Sequence, residues 1–210
     1  MKVVIIKYNA GNVQSVRYAL QRLGVEPIIT DNPDEIHGAE KVIFPGVGNA
    51  ASAMQYLKDR QLDKLIRSLK QPVLGICLGL QLLCSHTEEG DTPCLNIFDT
   101  KVKLFKEDNI SNLNASEMVI GAPPLHKVPQ VGWNDLYELN STLFNKVNEH
   151  TFVYYVHSYY AELSTNTIAK TRFMLPYSAA LKKDNFYAVQ FHPEKSGEKG
   201  QQMIQNFLSL

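Results

Sequence analysis

Several features that would commit a chain to a special class are scarce here. Three cysteines in 210 residues, Cys77, Cys84 and Cys94, are an odd number with no C-x-x-C spacing, which argues against a disulfide framework and a zinc knuckle alike. No charge of one sign dominates. Lys plus Arg and Asp plus Glu both number 21, so no global field exists to hold nucleic acid or an anionic membrane. Long apolar runs are missing too: nowhere do about 18 apolar residues follow one another. Met1-Lys2-Val3-Val4-Ile5-Ile6 is too short an apolar opening for a secretory signal, so a soluble, cytoplasmic protein is expected. There is no internal repeat. What remains, 44% hydrophobic and 20% charged residues, is the composition of an ordinary globular fold, and the length predicts one domain over 1–210.

The first 85 residues alternate short apolar runs with amphipathic stretches, the pattern of strands joined through helices into a parallel sheet. Strands are predicted at 3–6, 27–30, 41–44 and 73–76. A helix over 12–23 carries Val13, Val16, Leu20 and Leu23 on one face and stops at Gly24, a short helix starts near Pro33, and one long helix is predicted over 50–69. Pro45-Gly46 is read as ending the third strand. Beyond residue 95 the rhythm changes to short alternating segments, at 101–105, 131–139, 151–160, 167–172 and 178–191, which predicts antiparallel hairpins. Asp184-Asn185 is the clearest turn. Residues 201–210, with Met203, Ile204, Phe207 and Leu208 on one face, close the chain as a helix. The Asn- and Ser-rich stretch 107–124 reads as a surface insertion.

Gly75-Ile76-Cys77-Leu78-Gly79 stands where a buried strand meets a helix, the setting of a nucleophile elbow. Glycines two positions to either side of the thiol let neighbouring backbone come close in a tight turn. A helix N-terminus favours the anionic sulfur, and the Leu78 amide can face an oxyanion. The bland alternative is a small buried cysteine among packing glycines. A thiol nucleophile needs a base and a group that orients it. His192, in Gln190-Phe191-His192-Pro193-Glu194, has a carboxylate two residues on, which yields a Cys77-His192-Glu194 triad. His157, at the end of an apolar run, is the rival base and lacks a nearby acid. The remaining four of the six histidines have no spacing or companions that suggest metal. Pro45-Gly46-Val47-Gly48 reaches the same sheet edge as Cys77, where peptide amides can complete an oxyanion hole. It lacks the Lys-Ser/Thr ending of a phosphate loop, so no nucleotide and no cofactor is expected. Cys84 reads as core and Cys94 as loop. Gln81, one turn after the thiol, can reach the pocket wall.

Gly-Ile-Cys77-Leu-Gly-Leu-Gln81, Pro-Gly-Val47-Gly and Phe-His192-Pro-Glu194, in this order, resemble the class I, triad-type glutamine amidotransferases. Gln130-Val131-Gly132-Trp133-Asn134, Val156-His157-Ser158-Tyr159-Tyr160 and Glu194-Lys195-Ser196-Gly197 are similar to one branch of them, the glutaminase subunits of imidazole glycerol phosphate synthase. The resemblance implies an α/β fold, a flavodoxin-like, mostly parallel sheet flanked by helices with additional antiparallel strands in the C-terminal half. It implies that Cys77 attacks the side-chain amide of L-glutamine, with His192 as base and then acid, Glu194 orienting it, and Val47 or Gly48 and Leu78 amides holding the oxyanion. Gly46, Gln81, Glu89, Ser158 and Tyr159 are implied to form the glutamine site. Asn12, Trp133, Asn134 and Lys195 match positions that face a (β/α)8-barrel cyclase subunit, the partner in a heterodimer that receives the ammonia. For Trp133 the bland alternative is a core aromatic, and an interface anchor is the favoured reading. Gln130 stands where the resembled branch often has histidine, and the 107–125 stretch is long for it. A synthase of another pathway, a non-catalytic subunit of the same fold and a cysteine peptidase remain as alternatives.

Overall fold

The computed structural model describes residues 1–9, 12–106 and 127–210; the 107–124 insertion falls outside them. Its centre is a seven-stranded sheet. Strands β1 (Val3–Ile6), β2 (Ile28–Thr30), β3 (Lys41–Gly46) and β4 (Val73–Cys77) run parallel with β13 (Phe186–Val189) in the order β2-β1-β3-β4-β13. This is the flavodoxin-like order, in which the carboxyl ends of the central strands form the usual crevice. The Asp184-Asn185 turn makes β13 a hairpin with β12 (Leu175–Lys183), and β11 (Thr167–Phe173) adds a further antiparallel edge. The strands of 167–189 therefore extend the parallel sheet instead of forming a body of their own.

Both faces of the sheet are covered, and the near-continuous apolar strands show why. In β1, Val3 and Ile5 enter one core with α1 (Val13–Arg22) and α6 (Gly197–Leu208), while Val4 and Ile6 enter the other. That second core holds α2 (Pro33–His37), α3 (Ala50–Asp59), α4 (Leu62–Ser68) and α5 (Leu78–Leu83). Successive strand residues point to opposite faces, so a doubly covered strand is apolar throughout. Two smaller sheets lie beside this frame. One pairs β8 (Gln130–Asp135) with β9 (Phe152–His157), and the other runs β10-β7-β5-β6, from β10 (Tyr159–Ala161) and β7 (Lys101–Leu104) to β5 (His86–Thr87) and β6 (Thr92–Pro93).

Four expectations need correction. The long helix over 50–69 is two helices, broken where Gln61 takes a left-handed φ of 56°. Arg60 caps the first helix, its guanidinium 3.8 Å above the Tyr56 ring and 3.6 Å from Asp31, and Leu62 opens the second in the core. Pro45-Gly46 does not end β3, because Gly46 still pairs with Cys77. The segment 151–160 is split at Ser158 into β9 and β10, each joining a different sheet. Helix α6 begins at Gly197, before the predicted 201, because Gly200 lets the helix close on the preceding turn: a Cβ there would stand 2.0 Å from the Pro193 carbonyl oxygen.

Candidate active site

Cys77 is the last residue of β4 and directly precedes α5, with φ 54° and ψ −109°. A non-glycine residue held there costs on the order of 1–3 kcal/mol, which the surrounding packing must offset. The flanking glycines show how it does. A Cβ on Gly79 would lie 1.9 Å from the Phe44 carbonyl oxygen, and one on Gly75 would meet Leu83 at 2.8 Å. Helix and strand thus pack backbone to backbone, and the thiol is lifted to the carboxyl edge of the sheet.

His192 follows β13 on the neighbouring strand. Its main chain is pinned on both sides, the N–H donating to Tyr154 O at 2.9 Å and the carbonyl accepting from Ser196 Oγ at 2.6 Å. Nδ1 donates to Glu194 Oε1 at 2.8 Å, and both side chains are fully buried. Nε2 has no hydrogen bond of good geometry and faces the Cys77 thiol. Burial on its own pushes this imidazole down, yet the Cys77 sulfur and the Glu194 carboxylate outweigh it and raise it to about 10. Cys77, His192 and Glu194 are therefore brought together as the sequence pattern implied. Asn12, matched to the partner-facing positions, also reaches the triad. It sits at the start of α1 with a φ of 73° and makes no cap hydrogen bond; its amide instead donates to Glu194 Oε1.

His157 also reaches this edge, but its surroundings oppose a charge. Nδ1 lies 2.7 Å from Tyr159 O and Nε2 3.1 Å from Tyr177 Oη, which in turn pairs with Gln130 at 2.8 Å. Burial pushes His157 down to about 4; the Tyr159 carbonyl works against this and the nearby His192 adds to it. It is a neutral, fully engaged ring, and among the described residues no carboxylate is bonded to it.

A cleft of about 290 Å³ opens over the thiol, lined by Val47, Gly48, Leu78, Gln81 and Glu89 on one side and by Pro129 and 156–159 on the other. That is at the small end for a ligand pocket. Gly48 adopts a φ of 119°, open to glycine and strained for any other residue. Gly46 does not line the cleft; it is packed beneath it, where a Cβ would fall 2.2 Å from Tyr8 Oη. Tyr8 donates to Pro45 O at 2.6 Å and so holds the turn that carries Val47 and Gly48. Burial, with the Cys77 sulfur adding to it, keeps that phenol well above its ordinary range and hence a donor. Glu89 lines the cleft while its Oε2 accepts from Ala50 N at 2.7 Å, and Ser158 and Tyr159 form the opposite wall. Tyr8 was not singled out in the sequence, for nothing in its spacing ties it to Pro45, 37 residues away.

Beside the cleft, Val131, Trp133, Phe152 and Val156 present large apolar groups to solvent on the β8-β9 sheet, with Trp133 56% exposed. That decides against Trp133 as a core aromatic. Asn134 donates to Arg172 O at 2.7 Å, and Lys195 is exposed.

A family model described as glutamine amidotransferase class-I matches residues 4–210. The chain belongs to that family. Among the amidotransferases, it is 52% identical to the imidazole glycerol phosphate synthase subunit HisH of Bacteroides thetaiotaomicron, 53% to that of Bacteroides fragilis and 42% to that of Pectobacterium atrosepticum. Each comparison covers 100% of both chains. Solved amidotransferase folds are similar at lower identity. A putative GMP synthase subunit from Thermoplasma acidophilum has a TM-score of 0.70 at 20% identity, over 100% of this chain and 93% of that one. PurLQS from Thermotoga maritima has 0.64 at 18%, over 99% and 97%. No helix among the described residues is long and apolar enough to cross a membrane.

Proposed function

We propose that this chain is a single-domain, cytoplasmic glutaminase subunit of imidazole glycerol phosphate synthase, working through Cys77, His192 and Glu194. One observation carries the chemistry: a strained thiol at the floor of a small cleft faces a buried imidazole whose other nitrogen is bonded to a carboxylate. The Cys77 thiolate attacks the side-chain carbonyl carbon of glutamine, and the oxyanion formed is held by the Leu78 amide with that of Val47 or Gly48. His192 gives its proton to the departing nitrogen, the C–N bond breaks, and ammonia leaves behind a glutamyl thioester. Neutral His192 then takes a proton from water as its oxygen attacks the thioester. The C–S bond breaks, glutamate departs, and thiolate and imidazolium are restored.

Glu89, Ser158 and Tyr159, together with the Gln81 edge, suit an amino acid's charged and polar ends, with the Glu89 carboxylate matched to an ammonium group. The cleft volume favours a single amino acid over the extended groove of a peptidase. Val156 lines the cleft, and the exposed Val131 and Trp133 lie on the same two-stranded sheet, which supports a partner docked there that receives ammonia without release to solvent. A (β/α)8-barrel cyclase making imidazole glycerol phosphate in histidine synthesis is the acceptor that full-length similarity to HisH subunits favours. Trp133, Asn134 and Lys195 belong to this face in our reading. Glutamate release from glutamine by the chain, alone and with a cyclase subunit carrying its nucleotide, tests the proposal. Stimulation that depends on Cys77 is expected. Hydrolysis that depends on Cys77 yet is indifferent to the cyclase would move the acceptor to another pathway.

A further inference from the structure

Gln190 ends the run from β13 toward His192, is fully buried, and is absent from the cleft wall. Its Nε2 lies 3.7 Å from Cys77 Sγ, within reach of an N–H···S contact, and its Oε1 accepts from Gln81 Nε2 at 3.2 Å. The same Gln81 nitrogen donates to Tyr159 O at 3.0 Å, and this carbonyl also takes His157 Nδ1 at 2.7 Å. The direction of the chain is set at its far end. A backbone carbonyl can only accept, so the Gln81 edge facing it must be NH2. That NH2 then requires an oxygen from Gln190, which leaves the Gln190 NH2 for the sulfur. Turning either amide over would set like groups against each other at two contacts inside a buried site.

The two forms of the nucleophile meet different neighbours. As a thiol, Cys77 finds an acceptor in Val156 O at 4.0 Å; as a thiolate it needs donors, and the buried Gln190 Nε2 is within reach of it. We propose that Gln190 is a further catalytic residue, whose side-chain NH2 holds the Cys77 thiolate before attack and again as the thiolate leaves the thioester, with Gln81 as the positioning residue that orients it. A thioester sulfur is a poor acceptor, so the contact is strongest at the two ends of the cycle, where the sulfur carries charge. This rests on Cys77 being the nucleophile.

The test is Gln190→Met, which keeps shape and removes the donor. The pH dependence of Cys77 alkylation by iodoacetamide, followed by mass spectrometry on the full chain, is expected to shift upward by about one pH unit. With the cyclase partner present, kcat for glutamate release at neutral pH falls about tenfold while KM stays within about twofold, since Gln190 does not line the cleft. Gln190→Asn, which retains the amide but draws it back by one methylene, should behave alike and serves if the Met variant does not fold. A folded variant with an unchanged alkylation profile overturns the proposal, because a merely structural role would alter stability and leave the profile in place. Wild-type turnover that survives complete Cys77 alkylation would instead overturn the nucleophile assignment, which separates the two failures.

Discussion

Two strand ends bring a buried histidine to the same sheet edge, one against the thiol and one in the wall of its cleft, with opposite electrostatic results. At the end of β13, His192 meets a carboxylate on one side and a sulfur on the other and is raised to about 10. At the end of β9, His157 meets a carbonyl and a phenol and is lowered to about 4. Burial pushes both in the same direction. The difference is made by partners: a charged neighbour reverses the cost of desolvating an imidazolium, whereas neutral dipoles that already satisfy the ring leave it uncharged. A general base is thus chosen by what lies behind it, and not by nearness to the nucleophile alone.

The most severe way to break this comparison is to remove the nucleophile itself. Cys77→Ala should lower glutamate release by about a thousandfold or more while the complex with the partner still forms, as read by size-exclusion chromatography. Next, His192→Asn should also cost about a thousandfold, against less than about tenfold for His157→Gln. Equal losses for the two would erase the distinction. Glu194→Gln removes the charge that separates the rings and should lower kcat by about a hundredfold, with little change in KM.

Stability sharpens the contrast at acid pH. The folded state holds His157 neutral down to about 4, whereas an unfolded chain takes up that proton near the ordinary histidine value. Its contribution is complete above about pH 6.5 and lost as pH falls through about 4, on the order of 3 kcal/mol in all. His157→Gln should flatten denaturant-derived stability across that window relative to wild type, whatever its cost at neutral pH. His192 has the opposite sign: its contribution is present below the ordinary histidine value and lost as pH rises toward about 10. The smallest effect concerns Asn12. If its amide acts through Glu194, Asn12→Ala lowers turnover about threefold with and without the partner; a loss seen only with the partner would assign it to the interface instead.

The parallel half was readable because each of its strands is short, apolar and followed by a periodic helix, and Cys77 was readable because elbow glycines leave a local signature. The break at Gln61 was not. It lies in a left-handed Gln61 ahead of a buried Leu62, which no helical period reports. His192 and Glu194 lie two residues apart and could be paired on sight. The roles of Tyr8, Asn12 and Gln190 arise from contacts across 37, 182 and 113 residues, and only the folded sheet edge brings them together. Trp133 was ambiguous for a related reason, since strand alternation says that a residue faces one side but not which side is covered.

The central claim is that partner chemistry divides the two histidines. It is tested most directly by following the imidazole 15N shifts of His192 and His157 in the intact, histidine-labelled chain across pH, with each resonance assigned from its substitution. His192 should remain imidazolium through about pH 8, and His157 should stay neutral down to about pH 5. Two rings that titrate together near the ordinary histidine value, or a charged His157 beside a neutral His192, would contradict the account.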